Sequence, residues 1–342
     1  MRKLIKELSD LRGISGREKR VGDRVAAMFS ECCDEVRTDA LGSVIGCIKC
    51  GRKNAPSVMI EAHTDEIGLM ISSIEENGLM RFKNVGGVDE RILPSLIVTV
   101  HGAKDIQAII GVKQAELTDR SKSYSIDDMY IDAGMSAEEI RKIVKIGDFV
   151  TLPQSGVELG KHQISAKTMD DRASVAALVE VMRRLKEYEL SCDVYAAAAV
   201  QEEVGCRGGK TSSYAITPDV AIAVDVTHGI TPDNSVNAFE VGSGTVISCG
   251  PNLHPKLTKR LIDIAKEHGI KYSIDVDGGC TGTDAWEIQV SGAGVPTALL
   301  SIPLKYMHTS VETLDLRDVK ATADLMCEFI KRLEGDLSWL SL

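Results

Sequence analysis

Aromatic side chains are scarce in this sequence, 4% of 342 residues, with only two tryptophans. Sugar-gripping sites usually lean on aromatic platforms, so the shortage argues against a glycoside hydrolase. A basic footprint is missing as well: 40 Lys+Arg stand against 50 Asp+Glu, a formal charge of −10, and no basic cluster is interleaved with aromatics. Nucleic acid is therefore not expected as a partner. Long apolar runs are absent too. The longest, Val194 to Val200, is far too short to span a bilayer. The N-terminal MRKLIKELSDLRG mixes charged and apolar residues at helical spacing and lacks the unbroken apolar stretch of a signal peptide. No membrane partner and a cytoplasmic location are the expectations. The nine cysteines are odd in number and scattered, which speaks against a disulfide framework and for reduced thiols. Cys47-Ile-Lys-Cys50 has C-x-x-C spacing, but no second such pair exists and VIGCIKC alternates like a strand.

What is present is a chain 44% hydrophobic, long enough for a sizeable core. Residues 1 to 11 read as a helix, and Ser15-Gly-Arg-Glu18 as a capping box opening a second one to about Glu31. A strand from Val36 to Ile48 follows, then SVMIEA (57–62), a short apolar run ending on His63-Thr-Asp65-Glu66. From Gly68 to about Gly160 the texture changes to short alternating strands, with one convincing helix opened by Ser136-Ala-Glu-Glu139. Beyond Asp170 helices and apolar strands alternate again. The expected fold is α/β: a mixed-sheet, three-layer domain formed by residues 1–66 and 167–342, interrupted by a small β-rich module, PDZ-like or barrel-like, over residues 67–166.

Chemistry-bearing residues gather where apolar runs stop. The strand VYAAAAV (194–200) leads into Glu202 and Glu203, SVMIEA into His63 and Asp65, and DVAIAVDV (219–226) carries Asp225. Asp170 and Asp171 begin a helix, and His308 follows the segment Pro303-Leu-Lys-Tyr-Met. Ligands of α/β sheets collect outside the carboxyl ends of the strands, where these residues are expected. Taken singly, each has a structural alternative: a hydrogen-bonded core histidine, a strand-end cap, a helix N-cap pair, a solvated glutamate pair. Taken together, imidazoles and carboxylates without a nearby cysteine are a donor set for zinc, cobalt or manganese in a hydrolytic site. Two metals ~3.5–4 Å apart, sharing a carboxylate, would use five such ligands.

Seven segments carry a more specific message: GISGRE (13–18), EAHTDEIG (61–68), Asp170-Asp171-Arg172, QEEVGCRG (201–208), AVDVTHG (223–229), TGTDA (281–285) and YMHTSVE (306–312). In their order and their reach across the chain they resemble the dinuclear metallo-aminopeptidases that include glutamyl aminopeptidase and the tetrahedral aminopeptidases. The resemblance implies an enzyme that removes N-terminal residues from peptides with two divalent metal ions, Zn²⁺ or Co²⁺. It implies Asp170 as the bridging ligand, His63 and Asp225 completing one site, and Glu203 and His308 the other. It further implies Glu202 as general base, Asp65 as the carboxylate that orients His63, a cis Asp170–Asp171 peptide, and a dodecamer built from dimers through the inserted module. Cys206, Cys280 and Lys305 depart from residues common in the family, which leaves the ligands intact and bears on substrate preference.

The ligands alone leave a related deacylase or dipeptidase open, since that distinction lies in the pocket. A carboxylate-pair glycoside hydrolase leaves His63 and His308 without a role. A non-catalytic metal scaffold has no use for a free base at Glu202.

Overall fold

The computed structural model describes residues 1–113, 124–153 and 156–341. Helices α1 (Arg2–Ser9) and α2 (Lys19–Ser30) open the chain, each burying one apolar stripe: Leu4, Ile5 and Leu8 on the first, Val21, Val25, Met28 and Phe29 on the second. The expected capping box at Ser15–Glu18 does not form. Ser15 Oγ donates instead to Asp65 at 2.6 Å, Glu18 Oε1 accepts from the Gly16 N–H at 2.6 Å, and the helix starts at Lys19 without a side-chain cap.

The single strand expected over 36–48 is a hairpin of β1 (Glu35–Thr38) and β2 (Val44–Ile48). Asp39 Oδ1 turns the chain by accepting from the N–H groups of Leu41, Gly42 and Ser43. Strand β3 (Ser57–His63) then leads to the inserted module. Its strands are β4 (Gly68–Ile74), β5 (Met80–Val85), β6 (Ile97–His101), β7 (Asp105–Val112), β8 (Met129–Asp132) and β9 (Phe149–Thr151). They close a barrel in the order β4-β5-β8-β7-β6-β9. Alternation builds it: β7 buries Ile106, Ala108 and Ile110 and exposes the residues between them. The short helix α3 (Ala137–Ile140) carries the capping box expected between Ser136 and Glu139.

The module is shorter than the 67–166 read from texture. Strands β10 (Val157–Leu159) and β11 (Gln163–Ala166) belong to the large sheet, where β11 runs antiparallel to β17 (Glu312–Asp315). Short alternating strands look alike whichever sheet they join, and the partner of β11 lies about 150 residues away, beyond any local pattern.

The remaining elements are α4 (Met169–Leu185), β12 (Asp193–Ala199), α5 (Arg207–Ile216), β13 (Val220–His228), β14 (Thr245–Cys249), α6 (Pro255–Glu267), β15 (Tyr272–Val276), α7 (Ala285–Ile288), β16 (Thr297–Lys305) and α8 (Leu316–Lys331). An 11-stranded mixed sheet runs β1-β2-β12-β3-β13-β16-β17-β11-β10, with β14 pairing β16 and β15. Its centre, β12-β3-β13-β16, is parallel. Period-two alternation divides the central strands between two cores. Val58, Ile60, Ala62, Val220, Ile222 and Val224 face α1, α2, α4, α6 and α8, while Met59, Ala221 and Ala223 face α5 and α7. The result is a three-layer domain with helices on both faces. Truncating a side chain as deeply buried as Ile60 to alanine typically costs ~2–5 kcal/mol.

Candidate metal centre

Four parallel strands deliver most of the expected residues to one edge of the sheet. His63 is the last residue of β3 and lies opposite Ala199, the last of β12, so the turn holding Glu202 and Glu203 emerges beside it. Asp225 projects from β13, and His308 follows β16 by three residues. Asp170 arrives separately, at the start of α4, where the Asp170–Asp171 peptide is cis and both residues have non-helical dihedrals. Five non-glycine residues at positive φ border these groups: Thr168, Gln201, Cys206, Tyr306 and His308. Left-handed backbone of this kind concentrates where a site over-determines the chain.

The Asp170 carboxylate lies between the two imidazoles. Its Oδ1 is 3.0 Å from His63 Nε2, and its Oδ2 is 3.2 Å from His308 Nε2. Glu203 Oε2 approaches His308 Nε2 at 3.4 Å, and Asp225 Oδ1 approaches His63 Nε2 at 4.0 Å. Glu202 stands off, with Oε2 3.9 Å from His63 Nε2. Two trios offer donor atoms within 4.8 Å of one another: His63, Asp170 and Glu203, and His63, Asp171 and Asp225. Imidazole with carboxylate fits a divalent cation, and the fit is supported by Asp171, whose two buried oxygens have no hydrogen-bond partner among the described residues.

All seven expected residues therefore converge, but the structure adds several that local patterns did not reveal. Asp171, counted among the chemistry-bearing residues but given no ligand role, joins a donor trio. Asp65 lies 3.4 Å from His63 Nδ1, longer than a normal hydrogen bond, and its firmer contacts are elsewhere. It accepts from the N–H of Glu202 at 2.9 Å and of Glu203 at 3.2 Å, besides Ser15, and so fixes the glutamate turn. Glu312 accepts from the Asp170 N–H at 3.1 Å and the His308 N–H at 2.8 Å, tying two donors together. Gly87, on the barrel module, faces His308 Nδ1 with its carbonyl oxygen. The Gly86-Gly87 pair is the one sequence signal available for that approach.

Like charge dominates the centre. Burial, with Asp170 nearby, pushes the Glu203 carboxyl well above the ordinary range, and burial with Asp171 nearby does the same to Asp225. Burial lifts Glu202 to about 7 despite the opposing pull of His63. Asp170 goes the other way: burial pushes up, but hydrogen bonds to His308 and His63 win and hold it below the ordinary range. His308 rises to about 10, because Asp170 and Glu203 outweigh the burial that would lower it. Such a set needs positive charge, and cations would supply it. The broader clefts, of about 390 and 810 Å³, lie between the Leu11–Arg20 region and the barrel and contain none of these donors. Among the described residues no helix is long and apolar enough to cross a membrane.

Residues 42–325 match the family model of the M42 glutamyl aminopeptidases. The lysyl aminopeptidase of Pyrococcus furiosus is 35% identical over 340 residues, covering 97% of both chains. Among solved structures, an aminopeptidase from the archaeon Desulfurococcus kamchatkensis superposes with a TM-score of 0.92 at 36% identity, covering 99% of this chain and 96% of that one. The TET1 peptidase of Pyrococcus horikoshii, which can assemble into a tetrahedron or a large octahedral shell, gives 0.86 at 31% identity, covering 97% and 99%. With the family model spanning most of the sequence and the clustered donors lying within it, the chain belongs to the M42 family of peptidases.

Proposed function

We propose that this protein is a metal-dependent aminopeptidase that removes N-terminal residues from peptides, with two divalent ions, Zn²⁺ or Co²⁺, per subunit. The observation that carries this reading is the Asp170 carboxylate, which turns one oxygen to each of two imidazoles, His63 and His308. Asp170 would bridge, His63 and Asp225 would hold one ion, and Glu203 and His308 the other. When bound, the ions supply Lewis-acid polarisation of the scissile carbonyl and make a water easier to deprotonate.

The chain's own residues do the rest. Glu202 coordinates nothing in this scheme, and its carboxylate takes the proton of the attacking water and returns it to the leaving amine. Burial raises this carboxyl and bound cations would lower it, and general catalysis is best when the pKa lies near the working pH. Asp65 positions Glu202 and Glu203 through their backbone N–H groups and stands behind His63.

We also read the chain as a homo-oligomer, a dodecamer built from dimers through the barrel module, on the likeness to a peptidase that forms closed shells. Nine cysteines without a disulfide fit a reducing compartment, and the enzyme is assigned to the cytoplasm.

The test is release of p-nitroaniline from aminoacyl anilides by chelated protein before and after addition of Zn²⁺ or Co²⁺. An N-acetylated anilide and a cellulose derivative serve as controls. Metal-restored turnover of the free-amine substrate alone is expected. Equal release of p-nitroaniline from the acetylated substrate would mean that no free amine is needed and would contradict the aminopeptidase reading, and cleavage of cellulose would favour a glycosidase.

A further inference from the structure

The turn that presents the two glutamates is closed by Cys206. Its backbone N–H and that of Gly205 both donate to the Glu202 carbonyl oxygen at 2.9 Å. The side chain makes a second link to the same residue, with Sγ 3.3 Å from Glu202 Oε1. Among the described residues, this thiol is the one hydrogen-bond donor that reaches the Glu202 carboxylate. The other oxygen, Oε2, is the one turned towards His63. Half-buried among carboxylates, the thiol is held well above its ordinary range by burial and then by Glu202, so it keeps its proton and can donate. At φ +52 the Cys206 backbone is left-handed.

We propose that Cys206 is a positioning residue for the general base: its S–H fixes Oε1 of Glu202 and leaves Oε2 facing the reacting water. The inference rests on the reading of Glu202 as the base. A glutamate side chain has three rotatable bonds, and a carboxylate held by one weak donor at its outer oxygen presents the inner one in a single orientation. Loss of that contact leaves the base chemically intact but less often aligned, so the effect falls on turnover and not on substrate or metal binding.

The experiment uses the metal-loaded, full-length protein with Cys206→Ala, Cys206→Ser, Glu202→Gln and the double variant Cys206→Ala/Glu202→Gln. Removing one such hydrogen bond is expected to lower kcat roughly 3- to 10-fold. KM and metal content should match the unmodified protein, and Cys206→Ser, which keeps a donor, should recover most of the loss. In the Glu202→Gln background the alanine change should have no further effect, because Cys206 acts only through the carboxylate. Should the alanine variant fold poorly, Cys206→Gly suits the left-handed backbone and must show the same loss. An alanine variant within twofold of the unmodified kcat, a loss that serine does not restore, or an equal loss without Glu202 would each overturn the inference. Full activity of Glu202→Gln would instead remove the base assignment itself, a separate failure.

Discussion

His308 Nδ1 lies 2.9 Å from the carbonyl oxygen of Gly87, so the barrel module reaches into the donor cluster of the α/β domain and holds one of its two histidines. With Nδ1 engaged as an N–H donor, Nε2 is left to face Asp170 and Glu203.

That contact leaves no room for a side chain. A Cβ on Gly87 would sit 2.9 Å from His308 Nδ1 and 3.1 Å from its Cε1. Gly87→Ala is therefore expected to displace the imidazole and lower metal affinity about 10- to 100-fold, the usual scale for losing an outer partner of a ligand. Gly111→Ala, with open space around its Cβ, is the control and should leave affinity unchanged. Metal titration of both variants checks this, and normal affinity in Gly87→Ala would mean that the barrel does not govern His308.

Asp65→Asn should act on the glutamate turn. The amide keeps one acceptor oxygen but not two, whereas Asp65 now accepts from Ser15, Glu202 and Glu203 with both. Activity is expected to fall roughly 10- to 100-fold, while the fold, set by cores on both faces of the sheet, persists. Turnover and far-ultraviolet circular dichroism measured together decide the matter; unchanged turnover would remove Asp65 from the machinery.

Chelated protein should lose stability as pH rises. A carboxyl raised in the folded state binds its proton more tightly there than in the unfolded chain, so its contribution is complete below the unfolded pKa and lost as pH passes the folded one. Burial raises Glu61, Asp171, Glu203 and Asp225 well above the ordinary range, Asp284 to about 6 and Glu202 to about 7. His308 acts in the same sense, losing its contribution between 6.5 and about 10 as the proton held by Asp170 and Glu203 against burial departs. Asp65 and Asp170 are shifted down, and their opposing effect is over once pH exceeds the ordinary carboxylate range of about 4. Melting at pH 8 is thus expected below that at pH 5.5 without metal, with a smaller difference after metal loading, because cations replace the protons. Equal melting temperatures in chelated protein would contradict this electrostatic picture.

Strand ends are legible because a buried parallel strand writes itself as an apolar run, and the runs in β3 and β13 stop on or carry His63 and Asp225. Glu202 and Glu203 stand out for the same reason after β12. The partners of these residues are not legible, since Gly87 and His308 are 221 positions apart and no periodicity links them. Ser15 misleads because a serine three residues before a glutamate is a helix-start signal that the tertiary contact with Asp65 overrides. The end of the barrel is hidden because β11 finds its partner in β17, and only assembly of the sheet reveals that pairing.

Assembly offers a test independent of the chemistry. Light scattering on metal-loaded protein is expected to report a closed dodecamer, with smaller species, down to dimers, under chelation. A monomer in the presence of metal would reject the oligomer reading and leave the centre untouched.

The adjacent glutamates test the central claim most directly, because each role can be removed by one atom exchange. Glu202→Gln should keep its full metal content and its KM and lose roughly 10²–10⁴-fold in kcat, the range of general acid–base catalysis. Glu203→Gln replaces an anionic donor with a neutral amide, so its metal content should fall and its activity return in part at high Zn²⁺ or Co²⁺. Metal stoichiometry and kcat measured side by side separate the two roles: the account predicts a loaded but slow Glu202→Gln and a depleted, rescuable Glu203→Gln, and a depleted Glu202→Gln beside a loaded Glu203→Gln would contradict it.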